Sequence, residues 1–152
     1  MKVNFIIPIM LSIILGFLCS KFIFNNYMEE KPVYNEIKRA YFLQYGVYKD
    51  ENVLKDATKN LDSKLILTNN KLNYVYVSIT MSEENALKIK SLFEKENINL
   101  FIKEIEISNN ELIENIEQFD VLLKTSTTFK QVNSISKVIL STYEEIIIGN
   151  NL

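Results

Sequence analysis

The chain has 152 residues, with 17 basic against 19 acidic side chains, no histidine and a single cysteine, Cys19. A near-neutral balance without a basic tract gives nucleic acid no electrostatic footprint. The missing histidine removes the His general base, the His-paired Ser or Cys nucleophile and the common zinc ligand sets. Most carboxylates sit among lysines on helical runs, so the composition points to a non-catalytic protein with no metal and no other cofactor. The length leaves room for one domain plus appendages.

Residues 3–20 carry no charge, and the apolar run resumes past Lys21 with Phe22-Ile23-Phe24. About 20 such residues suffice to cross a bilayer. No small-residue cleavage site closes the run, and bulky Phe17 and Leu18 ahead of Cys19 argue against a lipoprotein signal. Residues 1–24 are therefore expected to be a transmembrane signal anchor in the cell membrane, with Cys19 as a small apolar filler. Lys2 flanks one side and Lys21, Lys31, Lys38 and Arg39 the other, so the basic count does not by itself send the C-terminus outside. The very short N-terminal tail favours a cytoplasmic N-terminus and an extracytoplasmic C-terminal domain. Residues 25–38 are polar, contain Pro32 and read as a tether.

Residues 41–48 alternate as a strand rich in aromatic and β-branched side chains. Asp50 opens a helix to about Leu61, with Val53, Leu54, Ala57 and Leu61 at helical spacing. Residues 64–68 form a second strand, Asn69-Asn70-Lys71 the turn, and residues 72–81 a third strand. Ser82 is an N-cap with Glu83 and Glu84 in the first turn, where the helix dipole favours negative charge. That helix runs to about Asn97, and residues 99–107 are a fourth strand. The order β-α-β-β-α-β predicts an α+β, ferredoxin-like split βαβ domain over residues 39–107.

Residues 108–152 differ. Leu112, Ile113, Ile116, Phe119, Leu122 and Leu123 recur at helical intervals, as do Phe129, Val132, Ile135, Ile139, Tyr143, Ile146 and Ile147 after the break at Thr125–Thr128. Two amphipathic helices follow. Their stripes either pack on each other or on the domain, or form an oligomerisation or partner-binding element.

Two stretches share one plan. Phe42-Leu43-Gln44-Tyr45-Gly46-Val47-Tyr48 and Tyr74-Val75-Tyr76-Val77-Ser78-Ile79-Thr80 each precede a helix, with Leu54 eight residues after Gly46 and Ala86 eight after Ser78. Strand alternation puts Val75, Val77, Ile79, Leu43, Val47, Leu100 and Ile102 toward the helices, with Tyr41 and Tyr45 at that margin. Phe42, Gln44, Tyr48, Tyr74 and Tyr76 then gather on the other face, with Phe101 and Lys103 opposite the core on the last strand. An open face of aromatics and one amide suits sugar rings, whose C–H faces lie on aromatics. Nucleotides also stack on such sheets, but the basic rim they need is lacking. The alternative is that the C-terminal helices cover this face.

The Gln44-x-Gly46-x-Tyr48 strand, the following helix and the second strand ahead of Ala86 resemble the SPOR (sporulation-related repeat) family of bacterial domains. In the second half Ser78-Ile79-Thr80 stands where that family has Gly-Pro-aromatic. The resemblance implies a membrane-anchored protein that binds peptidoglycan glycan strands stripped of stem peptides, at division or sporulation septa of the cell envelope. It places Gln44 and Tyr48 on motif positions, with Phe42, Tyr74 and Tyr76 beside them as glycan-binding residues. The departure in the second half leaves a second role open, that of a structural scaffold in an envelope complex working through the C-terminal helices.

Overall fold

The computed structural model describes residues 37–149. The expected anchor and almost all of the tether lie outside these residues. Among the described residues no helix is long and apolar enough to cross a membrane.

The elements follow the expected order. Strand β1 spans Lys38–Tyr48, helix α1 Glu51–Thr58, β2 Leu65–Asn69, β3 Leu72–Thr80, α2 Glu83–Lys95 and β4 Phe101–Ile107. Helices α3, Asn110–Thr125, and α4, Phe129–Tyr143, complete the chain, and a single π-type turn extends α4 over Glu144–Ile148. The four strands form one antiparallel sheet in the order β2-β3-β1-β4. The domain is thus α+β, and its order is compatible with a ferredoxin-like arrangement.

Local chemistry explains the boundaries. Asp50 caps α1 by accepting from the backbone of Asn52 at 2.8 Å and Val53 at 3.1 Å, and Ser82 Oγ accepts from the Asn85 amide at the start of α2. Asn70 and Lys71 both take positive φ, 51° and 62°, as a tight hairpin between twisted strands requires. Asn97, with φ 60°, ends α2 in a Schellman motif: Ile98 N donates to Phe93 O and Asn97 N to Glu94 O.

Two boundaries differ from expectation. Strand β1 begins at Lys38, taking residues from the end of the tether, because Lys38-Arg39-Ala40 finds Ile107-Glu106-Ile105 of β4 to pair with. Helix α1 stops at Thr58 rather than near Leu61. The Thr58 hydroxyl bonds back to Leu54 O, and Lys64 and Leu61 take the Thr58 carbonyl.

The C-terminal hairpin packs on the domain. Asp120 of α3 accepts from the Thr80 hydroxyl, from Met81 N at 2.7 Å and from Asn85 Nδ2 at 3.0 Å, clasping the β3–α2 turn. Lys88 of α2 donates to the Leu123 and Lys124 carbonyls, placing a cation at the negative end of the α3 dipole. Thr128 and Gln131 close a capping box at the start of α4. Leu112, Ile116, Leu123, Val132, Ile139 and Leu140 of the hairpin join Leu43, Ile79, Ala86, Ile89 and Phe93 in a single buried cluster.

Removing the Asp120 carboxylate leaves the Met81 amide without its acceptor and the fully buried Thr80 hydroxyl with only the long contact to Ser82 O, at 3.4 Å. Asp120→Ala is expected to lower stability by about 2–3 kcal/mol, with Asp120→Asn costing less because one oxygen remains. Urea unfolding monitored by circular dichroism checks this, and an Asp120→Ala midpoint equal to wild type would refute the clasp.

Candidate functional site

The five residues expected on one open face do not form one row. Gln44 pairs with Tyr76, and register shifts between β1 and β3 lie on either side of it. Beyond them Val47 is opposite Tyr74, and Tyr48 is opposite Asn73. Residues directly opposite share a face and successive residues alternate, so Tyr48 and Tyr74 point to opposite faces. Such an irregularity re-aims the strand that carries it. Val47, expected to face the helices, is 41% exposed because its pairing with Tyr74 puts it on that residue's face.

Tyr48 joins the face of α1. Its partner Asn73 accepts from the Thr68 hydroxyl at 2.7 Å, and both line a groove against Leu54 and Lys55 of α1. Neighbouring Tyr45 donates to Ala57 O of α1 at 3.2 Å, at the margin where its hydroxyl was expected. The Tyr48 ring folds back over Gly46 so closely that an added Cβ would lie 2.7 Å from its hydroxyl. Gly46 is therefore the seat of the Tyr48 ring. Partial burial, with Tyr45 nearby as a smaller cause, raises the Tyr48 phenol above its ordinary value.

Phe42, Gln44 and Tyr76 do come together, but under cover. They are 1%, 7% and 6% exposed. The Phe42 ring meets Tyr76 edge-on at 5.3 Å and Tyr143 of α4 edge-on at 5.8 Å. Further along α4, Ser136 Oγ donates to Ser78 Oγ at 2.8 Å, both residues fully buried. The C-terminal helix thus occupies the part of the face where these three residues lie, and that part is core.

The end of the same face nearest the β2–β3 hairpin is left partly open. Phe101 of β4 is opposite Gln44, Leu65 of β2 is opposite Tyr76, and Leu67 is opposite Tyr74. This aligns Phe101, Gln44, Tyr76 and Leu65 across the sheet, with Val47, Tyr74 and Leu67 in the next row. Phe101 is 61% exposed, Val47 exposed and Tyr74 half-buried. Strand spacing and rise put Phe101 and Tyr74 about 12 Å apart, with an aliphatic side chain beside them. Phe101 was not among the expected site residues, although alternation between buried Leu100 and partly buried Ile102 already turned it away from the core.

No group of acidic or cysteine side chains among the described residues could hold a metal ion. The Tyr76 and Tyr143 phenols are raised by burial, Tyr76 further by Tyr74 and Tyr143 nearby, so at neutral pH they are uncharged hydrogen-bonding groups. No family model, curated protein or solved structure matches the chain.

The raised phenols link stability to alkali. A tyrosine whose folded pKa exceeds its unfolded value of about 10 holds its proton longer in the native state, so its contribution is complete below pH 10 and is lost as pH rises through the folded pKa. Stability is expected to be flat toward pH 9 and to fall above 10, with a shallower fall in Tyr143→Phe. Equal alkaline slopes for wild type, Tyr143→Phe and Tyr76→Phe in urea titrations at several pH values would count against the linkage.

Proposed function

We propose that this chain is a membrane-anchored, non-catalytic SPOR-like protein of the bacterial envelope, binding denuded peptidoglycan strands at division or sporulation septa. The strand order is compatible with the ferredoxin-like plan of such domains. The observation that carries the reading is the uncovered end of the sheet, where Tyr74 and Phe101 flank Val47 beside the motif residue Gln44. Aromatic platforms spaced along one face take the C–H faces of successive sugar rings. In this reading Phe42, Gln44 and Tyr76 flank the platform on the same face, under α4, and Tyr48 braces the strand end over Gly46 instead of touching sugar.

Co-sedimentation of the full chain with amidase-treated sacculi tests the proposal. The protein is expected in the pellet with treated sacculi and not with untreated ones. Tyr74→Ala combined with Phe101→Ala should weaken retention at least about tenfold, the loss of two aromatic contacts. No retention, or retention indifferent to that double variant, would sink it.

A second reading, a scaffold that self-associates through its C-terminal helices, is favoured by one observation. Val121 and Leu122 of α3 and Val138 of α4 are exposed, and Leu122 and Ile135 border a groove at the α3–α4 turn. Light scattering of the full chain in detergent is expected to show a mass that rises with concentration and falls in Leu122→Glu with Val138→Glu. A strict monomer rejects this reading.

A further inference from the structure

A cavity of about 380 Å³ opens where the α1–β2 loop, the C-terminus of α2 and the first turns of α4 meet. It lies away from the Tyr74–Phe101 surface. Its wall is aromatic: Tyr45 borders it, and Phe129 stands edge-on to the buried Phe93 at 4.9 Å. Its rim is polar and exposed, made of Asn60, Asp62, Glu96 and Asn97. Asn133 donates to Asp62 Oδ2 at 2.6 Å, fixing the carboxylate at the edge. Within this lining the Ser63 hydroxyl oxygen is buried without a hydrogen-bond partner among the described residues. That oxygen has less than 1 Å² of accessible surface, so it does not face the cavity.

No lysine or arginine lines the cavity, so a phosphate or carboxylate ligand finds no counter-charge. The carboxylates sit on the exposed rim, where water screens them, so an ammonium group gains little. What remains is a ligand with one apolar face and a ring of hydroxyl or amide groups. We propose that this cavity is a saccharide subsite taking a single N-acetylated pyranose. The C–H face lies on Tyr45 and Phe129, and the ring hydroxyls reach Asp62, Glu96 and Asn97 on the rim. The volume is at the lower end of the range of small-ligand sites, about 300–1,000 Å³. The choice of an N-acetylated sugar rests on the glycan reading above; the cavity itself asks for one apolar face ringed by hydroxyl or amide groups.

The full chain in a sugar-free zwitterionic micelle, titrated with the β-1,4-linked trimer of N-acetylglucosamine and followed by NMR, tests this. Saturable shifts are expected at Tyr45, Ser63 and Phe129. Asn97→Gly and Glu96→Ala should each weaken binding by about five- to tenfold, one hydrogen bond apiece. Asn97→Gly removes a rim amide at a left-handed position that glycine favours, so its fold is retained. Shifts confined to Tyr74 and Phe101 would overturn the cavity while sustaining the sheet surface. Cavity shifts that survive Tyr74→Ala with Phe101→Ala, when sacculus binding does not, would support the cavity alone. Cavity shifts unchanged by both cavity variants, or elicited equally by lysine amide, would overturn the saccharide assignment.

Discussion

Where α4 crosses β3, Ser136 and Ser78 share a hydrogen bond with no exposure to water, and seven residues on, Tyr143 closes edge-on over Phe42. The cover over this face and one wall of the cavity follow from this seat. It converts Phe42, Gln44 and Tyr76 from surface to core, leaves the hairpin end of the same face partly bare, and brings Phe129 against Phe93 to wall the cavity. The serine pair gives the seat direction as well as adhesion. An apolar stripe can slide along an apolar face at small cost, but a buried hydroxyl moved off its partner is left unsatisfied. Val132 and Ile139 of the same helix are fully buried around Ser136, so the polar contact fixes the register of the hydrophobic one.

The strength of that seat decides between a lid and a core. Val132, Ile139 and Leu140 together contribute on the order of 5–9 kcal/mol by burial, an upper bound because the unfolded chain already hides part of their area. Asp120 clasps the β3–α2 turn, Lys88 caps α3, and Asn133 reaches Asp62. A weakly held glycan strand lacks the differential affinity to displace all of these. Helix α4 is therefore part of the fold, and any ligand of the sheet must use the surface it leaves.

Much of the fold was legible in the sequence because its signals are local. Asp50, Ser82 and Thr128 are oxygen-bearing caps in front of periodic apolar runs, and Asn70 accepts the positive φ of a tight hairpin, so strands and helices fell within a few residues of their observed limits. The candidate site was legible only in part, for two physical reasons. Alternation along each strand gives no register between strands, and the pairing of Val47 with Tyr74 and Tyr48 with Asn73, in step with Phe42 and Ile79 on the far side of Gln44, sets Tyr48 and Tyr74 on opposite faces. The apolar stripes of residues 108–152 showed that something would be buried against them, but amphipathicity does not name the partner. Ser136, a polar residue inside that stripe, was the available hint that the stripe had a particular mate.

Gly46 stands between a glutamine and an aromatic residue, and its surroundings say what that glycine is for. On an open sheet a glycine between a glutamine and an aromatic residue clears space for a ligand to approach the backbone. Here the Tyr48 ring fills that space, close enough that a Cβ would have to push it aside. The ring shares its face with α1, opposite Asn73, so the clearance serves packing between strand and helix. Phe101 and Tyr74 offer their aromatic surface on the other side without any glycine between them. If sugar is bound there, it rests on side chains across three strands rather than on the backbone of one, and recognition depends on ring spacing set by the sheet. That makes the pairing register of β1 with β3 and β4, not Gly46 itself, the feature of β1 on which the binding surface turns.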